Sequence, residues 1–186
     1  MRNKSLDDCG DQPVKLKLLI FILFITAFTL KLNAQPLAVA TYNVRYDNPA
    51  DIGNLWKDRA PVIANLIRFH DFDIVGTQEA WKNQIADLDE SLPEYNWYGV
   101  GRNDGIDSAE FSAIFYKKDK FKLMRSGNFG CTTTPEKPSF GWDAVNCKRV
   151  CSWVQLQRIK DGRKFYVFNT HFDHEGATAR IESSKL

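Results

Sequence analysis

PLAVATYNV at residues 36–44 and FDIVGTQE at residues 72–79 are two short apolar runs, and polar residues occur near the end of each, at Asn43 and at Gln78-Glu79. Short runs rich in apolar and β-branched residues are typical of strands that are buried on both faces. The segment between them, about 57–69, predicts a helix, and its inward residues at helical spacing are Ala60, Ile63, Ala64 and Ile67. A strand, a helix and a second strand in succession predict parallel pairing in an α/β fold.

The rest of the chain predicts one more helix and then a run of strands. The helix covers 81–92, with Ile85 and Leu88 facing inward. The strands are predicted at 96–101, 110–117, 120–127, 150–159 and 164–172. The Asp161-Gly162 step between the last two strands is a hairpin signal, so this pair should be antiparallel. Residues 130–146 predict a long loop, and a last helix begins at Gly176.

The composition is that of one ordered globular domain. The chain has 186 residues, of which 44% are hydrophobic and 26% charged, with 11 Gly and 7 Pro. This excludes disordered, collagen-like and low-complexity proteins. Of the 25 Lys and Arg, five lie within residues 1–34, and of the 23 Asp and Glu, three do, which leaves 20 of each from Gln35 onward. A neutral body predicts no strong general patch for nucleic acid, so a phosphate-bearing partner must be held by a local site.

The N-terminus predicts a secretory signal peptide at residues 1–34. Its apolar core is LLIFILFITAFTL at 18–30, preceded by Lys15 and Lys17 and followed by Lys31. A membrane-spanning helix needs roughly 20 apolar residues, so a permanent anchor is the weaker alternative. We therefore expect a secreted or periplasmic protein that has no transmembrane anchor once the leader is removed.

Three cysteines follow the predicted leader: Cys131, Cys147 and Cys151. An oxidising compartment favours disulfides, and one of the three must then stay unpaired. Cys147 and Cys151 are four residues apart, and on one strand they would lie too far apart for easy bridging. A bridge between Cys131 and Cys147 is the preferred prediction, and buried free thiols are the alternative.

Polar side chains follow three of the predicted strands at the point where each strand ends. Asn43 follows the first, Glu79 the second, and the segment from Asn169 to His174 the last. Ligands of α/β sheets bind in the crevice beyond the carboxyl ends of the strands. Glu79 is a candidate ligand for a hard cation such as Mg²⁺ or Mn²⁺, and Asn43 can add a neutral oxygen. His171 can donate to a phosphate oxygen or protonate a leaving group near neutral pH. Taken singly, each of these residues also has an ordinary structural role, as a cap, a turn former or a packed histidine.

Five motifs that occur in order carry a family resemblance. They are Thr41-Tyr-Asn-Val-Arg45, Gly76-Thr-Gln-Glu79, Tyr98-Gly-Val-Gly-Arg-Asn-Asp-Gly105, Glu110-Phe-Ser-Ala-Ile-Phe-Tyr116 and Asn169-Thr-His-Phe-Asp-His174. Together they resemble the endonuclease/exonuclease/phosphatase family, which has a deoxyribonuclease I-like fold. Within it, the motifs look most like secreted bacterial members related to the deadenylase-type 3′–5′ exonucleases. The match runs from about residue 38 to the end of the chain.

The resemblance implies a four-layer α/β sandwich of two mixed sheets flanked by helices, and metal-dependent hydrolysis of phosphate esters. The implied catalytic residues are Asn43, Glu79 and His171, of which Glu79 and Asn43 would hold Mg²⁺ or Mn²⁺. Arg102 and Asn169 would bind the substrate. The substrate class stays open among nucleic acid, phospholipid headgroups and sugar phosphates. Asp173 and His174 are expected to support the end of the last strand or to hold Arg180.

The sequence also departs from the family pattern. The family continues with a Gly-Asp-x-Asn motif and a final Asp-His pair, and neither occurs after His174. Residues 35–186 are therefore expected to be the N-terminal two-thirds of such a domain, with its C-terminal part missing. The alternative function is a catalytically incomplete fragment or pseudoenzyme that binds a phosphorylated ligand or a partner.

Overall fold

Two β-sheets organise the described part of the chain, residues 36–186, in the computed structural model. The predicted signal peptide at 1–34 lies outside the described residues. The first sheet has the order β1-β2-β4-β3 and the second the order β5-β6-β7. The strands of the first sheet are β1 (Val39–Asn43), β2 (Ile74–Gln78), β3 (Tyr95–Tyr98) and β4 (Ile114–Lys117). Those of the second are β5 (Phe121–Gly130), β6 (Val150–Arg158) and β7 (Lys164–Thr170).

Three helices are described, namely α1 (Trp56–Phe69), α2 (Lys82–Ser91) and α3 (Ala177–Ser183). Two of them bury the faces predicted from their spacing: Ile63, Ala64 and Ile67 on α1, and Ile85 and Leu88 on α2. Within residues 36–186, no helix combines the length and the apolar character needed to cross a bilayer.

The strand pairing confirms the predicted α/β fold. β1 and β2 are parallel, as α1 crosses between them, whereas β4 runs antiparallel to both β2 and β3. The first sheet is thus mixed. The second is antiparallel throughout its described strands, and the Asp161-Gly162 turn joins β6 to β7 as predicted, with Gly162 at φ +72°. Two mixed sheets were expected, so the second sheet departs from that expectation in these residues.

Two hydrophobic clusters hold the layers together. The first lies between α1, α2 and the first sheet, and it includes Ile67, Val75, Leu88 and Phe115. The second fills the space between the two sheets, where Ile74 and Ile114 meet Val154 and Leu156. Helices therefore cover one face of the first sheet, and the second sheet covers the other. This packing brings the end of β7 against the end of β2.

A buried ion pair anchors the segment that follows β7. The Asp173 carboxylate accepts the N–H groups of Glu175 and Gly176 and a hydrogen bond of 3.2 Å from Arg149 Nε. The side chains of Arg149 and Asp173 are only 4% and 3% exposed. Arg180 donates to the backbone carbonyl of Asp173, as the sequence suggested, but Arg149 was not anticipated as the charged partner.

The predicted disulfide between Cys131 and Cys147 is wrong, because all three described cysteines are free thiols. Cys147 Sγ lies 3.4 Å from Arg102 Nη2, whereas Cys131 Sγ lies 3.5 Å from Thr170 Oγ1. Burial raises the pKa of Cys131, and it raises the pKa of Cys151 to about 12. The alternative of buried free thiols therefore describes Cys131 and Cys151.

Candidate active site

Three of the predicted site residues meet at one end of the two sheets. The register of the parallel pair sets Asn43 opposite Gln78, so that Glu79 follows directly at the same edge. Asn43 Nδ2 donates to Glu79 Oε1 over 2.7 Å, and His171 Nε2 lies 3.5 Å from that oxygen. The cluster joins strand ends from both sheets, since His171 follows β7.

The backbone at Glu79 is in an unusual conformation. Its φ is +66°, in the left-handed region that non-glycine residues seldom adopt. Such strain persists only where the surroundings hold it, and it is concentrated at functional sites. At this position it turns the chain sharply out of β2, while Phe111 N–H donates to the carbonyl of Ala80 over 2.7 Å. The Glu79 side chain remains 21% exposed, so solvent reaches the carboxylate.

His171 lies in an environment that disfavours its charged form. Burial lowers its pKa most, and the positive charges of Arg149 and Arg102 lower it further against the opposing effect of Glu79. The imidazole is therefore neutral at pH 7 in the free site and has one N–H to donate. A dianionic phosphate beside it would favour the protonated form, which is the form that can give a proton to a leaving group.

Arg102 is committed to a carboxylate next to this cluster. Its Nη1 donates to Glu110 Oε2 over 2.6 Å, and both side chains are 15% exposed. Burial raises the pKa of Glu110, Arg102 opposes that rise, and the charge of Glu79 adds to it. The Nε of Arg102 is buried without a hydrogen-bond partner among the described residues. Arg102 thus pairs with a second acid, and its positive charge also acts on His171.

Asn169 lies close to the cluster, but its side chain joins the two sheets. Its Nδ2 donates to the carbonyls of Thr77 and Ala113, each over 2.8 Å, and its Oδ1 accepts from Gln78 Nε2 over 2.7 Å. Gly76 permits this approach, because a Cβ there would lie 2.8 Å from Asn169 Oδ1. The contacts identify Asn169 as a structural link, and its predicted role in substrate binding stays a prediction.

Gln84 was missed by the sequence reasoning, although it holds the two loops of the site. It is fully buried at the start of α2. Its Nε2 donates to the carbonyl of Arg45, and its Oε1 accepts the N–H groups of Asp47 and Trp81, all over 2.9 Å. These loops follow Asn43 and Glu79, so Gln84 sets their separation. The sequence signal that could have identified it is its position next to Ile85, on the buried face of α2.

We expect the Gln84→Leu variant to lose about 2–4 kcal/mol of unfolding free energy, because two N–H groups and a carbonyl lose their partner. Urea denaturation of the variant and the wild type measures this loss. Gln157→Leu is the matched control, since Gln157 makes one surface hydrogen bond to Gly162 and should change stability by only about 0.5 kcal/mol. An equal loss in both variants would contradict the role of Gln84.

The chemistry of the cluster suits a hard divalent cation. Mg²⁺ is usually bound through one or two carboxylates and completes its coordination with water and phosphate oxygens. Glu79 provides a solvent-accessible carboxylate, and the amide of Asn43 lies against it. No group of three or more His, Cys, Asp or Glu side chains suited to a metal occurs within residues 36–186. One solvent-accessible carboxylate with an amide beside it fits a site in which water and phosphate oxygens complete the coordination of a hard divalent cation.

The fold is that of endonuclease/exonuclease/phosphatase proteins with a deoxyribonuclease I-like architecture. A solved protein of that family from Bacteroides thetaiotaomicron is 48% identical, with a TM-score of 0.78 over 80% of this chain and 55% of its own. The mannosyl-6-phosphatase of Bacteroides thetaiotaomicron VPI-5482 is also 48% identical, with a TM-score of 0.78 over 81% of this chain and 57% of its own.

A curated relative is an uncharacterized protein of Acanthamoeba polyphaga mimivirus. It is 29% identical over 126 residues, which is 63% of this chain and 46% of the relative. No family model matches the chain. The chain thus spans about half the length of this relative and of the two solved structures.

Proposed function

We propose that the protein belongs to the endonuclease/exonuclease/phosphatase family and hydrolyses phosphate esters with the help of a bound divalent cation. The observation that carries the proposal is the convergence of Asn43 and His171 on one oxygen of Glu79, whose backbone is held at φ +66°. The identity of 48% to a mannosyl-6-phosphatase supports it. Of the three open substrate classes, that relative favours a sugar phosphate.

The reaction assigned to this site is the attack of water on phosphorus. The ester P–O bond breaks, the leaving alcohol takes up a proton, and phosphate is released. Glu79 and Asn43 would hold Mg²⁺ or Mn²⁺, which when bound supplies positive charge against the phosphate oxygens. His171 would donate its N–H to a phosphoryl oxygen, and Arg102 would add positive charge beside the phosphate.

The proposal includes two features of the whole protein. The predicted leader at 1–34 would direct it to a secreted or periplasmic location, and residues 35–186 would belong to the hydrolase domain. The protein would resemble the deadenylase-type 3′–5′ exonucleases in its fold and in its use of a divalent cation.

Hydrolysis of p-nitrophenyl phosphate by chelator-treated protein tests this function. We expect turnover to return with Mg²⁺ or Mn²⁺, and His171→Ala to lower kcat by at least about 10²-fold. His70→Ala is the matched control, since His70 is exposed at the end of α1. Binding of inorganic phosphate without turnover in the presence of either metal would overturn the hydrolase proposal and support the non-catalytic alternative.

A further inference from the structure

An open cleft of about 560 Å³ lies beside the candidate active site. It is lined by Trp81, Lys82, Asn83, Ala86, Asp107 and Ala109. This volume falls within the range of small-molecule sites. The cleft adjoins the Glu79 cluster, because Trp81 follows Glu79 by two residues and Ala109 precedes Glu110. The pairing of Ala80 with Phe111 holds these two segments side by side.

Trp81 forms an aromatic platform in this cleft. Tyr46 stacks on it with ring centroids 5.8 Å apart and planes inclined by 21°. The guanidinium of Arg45 lies over the Tyr46 ring, 5.2 Å from its centre. Trp81 is nevertheless 44% exposed and lines the cleft. Its indole is therefore stacked against Tyr46 and still exposed in the cleft, which suits stacking with a ligand ring.

Polar groups of both kinds surround the platform. Lys82 and Asp107 form an ion pair whose side chains are 70% and 47% exposed. Such exposed pairs contribute little stability, so a ligand can replace their mutual contact at small cost. The Asn83 amide adds a carbonyl oxygen, while its Nδ2 donates to Asp47 Oδ2 over 2.9 Å. The cleft thus offers an ammonium donor, a carboxylate acceptor and an amide around one aromatic face.

We infer that this cleft binds the sugar ring of a sugar phosphate whose phosphate group lies at Glu79. A pyranose has an apolar C–H face that stacks on one aromatic ring, and its hydroxyls both donate and accept hydrogen bonds. A nucleobase held by stacking on both faces would need a second flat side chain opposite Trp81. The other residues that line the cleft include the small Ala86 and Ala109 and no second aromatic ring. The inference rests on the proposed function for the position of the phosphate, and on Trp81 and its neighbours for the ring.

Two measurements test the subsite independently of each other. Saturation-transfer NMR with methyl α-mannopyranoside, which has no phosphate, should show contact with the wild-type protein in the absence of metal. Trp81→Ala should abolish that transfer, whereas Trp81→Phe should retain it. Phe168→Ala is the control for loss of an exposed aromatic ring on the outer face of the second sheet, and it should have no effect. Asp107→Ala, a change at an exposed side chain, should weaken binding with little risk to folding.

Kinetics provide the second measurement. Trp81→Ala should raise KM for mannose 6-phosphate by about tenfold, and it should raise KM for the acyclic ester glycerol 2-phosphate by much less, because that ester has no ring to stack. Failure to hydrolyse either ester would overturn the proposed function alone, because the NMR experiment still tests the subsite. Absence of transfer from the mannoside would overturn the subsite. Transfer that survives in Trp81→Ala, or stronger transfer from adenosine, would do the same.

Discussion

Replacing Glu79 with glutamine should lower kcat/KM for phosphate-ester hydrolysis on the order of 10³-fold, the largest effect expected of any single change in this site. The amide keeps the size of the side chain but loses the charge that would hold a divalent cation. Its neighbours supply no replacement, because Asn43 is neutral and Glu110 is paired with Arg102. Steady-state kinetics at saturating Mg²⁺ measure the effect.

Metal binding provides a second readout for Glu79. Calorimetric titration with Mn²⁺ should show binding to the wild type and a much weaker interaction with Glu79→Gln. Glu90→Gln is the control, since Glu90 is exposed on α2. If Glu79→Gln kept both Mn²⁺ affinity and activity, Glu79 would have neither of its assigned roles. Unchanged urea denaturation would establish that a loss of activity does not come from unfolding.

The parts of the fold that could be predicted are those encoded by local patterns. The apolar run 72–79 gave β2, which is buried along its whole length, as expected of a strand with apolar residues throughout. The run 36–44 gave β1 as a strand, but its predicted burial is wrong, because β1 lies at the edge of the described first sheet and its residues are exposed or half-buried in turn. Their parallel pairing followed from the helix between them. Since parallel strands end at the same edge, the meeting of Asn43 and Glu79 could be expected before any coordinates.

The parts that could not be predicted depend on which distant residues meet. Arg149 and Asp173 are 24 residues apart in the sequence, and Asn169 and Thr77 are 92 residues apart. The predicted disulfide failed for the same reason, because the spacing of cysteines does not say where the long loop carries them. Gln84 escaped notice because burial of its amide requires the loops after β1 and β2 to converge on it.

These unpredicted contacts control how the candidate site is assembled. Asn43 and Glu79 belong to the first sheet, whereas His171 follows the second. The distance of 3.5 Å between His171 and Glu79 thus depends on how the two sheets pack. Asn169 ties β7 to β2, and the Arg149–Asp173 pair fixes the chain two residues beyond His171. Changes at these linking residues should therefore affect the site through the stability of the fold.

Replacing Arg149 with methionine should lower the free energy of unfolding by about 3–5 kcal/mol, because it leaves the buried carboxylate of Asp173 without its charged partner. Urea denaturation at pH 7 measures the loss. Arg163→Met is the matched control: Arg163 is 73% exposed, 3.4 Å from Asp161, and its loss should cost less than about 1 kcal/mol. Similar losses in the two variants would show that the buried Arg149–Asp173 pair contributes no more to the unfolding free energy than the exposed Arg163–Asp161 pair.

The same pair predicts how stability depends on pH. Burial alone would raise the pKa of Asp173, but hydrogen bonds from Gly176, Glu175 and Arg149 outweigh it, and the pKa lies below its ordinary value. An acid whose pKa is lower in the folded state contributes full stability above its unfolded pKa and loses it as the pH falls through the folded pKa. Between pH 7 and the acid range, the unfolding free energy of the wild type should therefore fall more steeply than that of Asp173→Asn, which has no carboxyl to titrate at this position. Parallel curves for the two proteins would mean that Asp173 titrates alike in the folded and unfolded chains, and that its contacts with Arg149 and the backbone do not favour the ionised form.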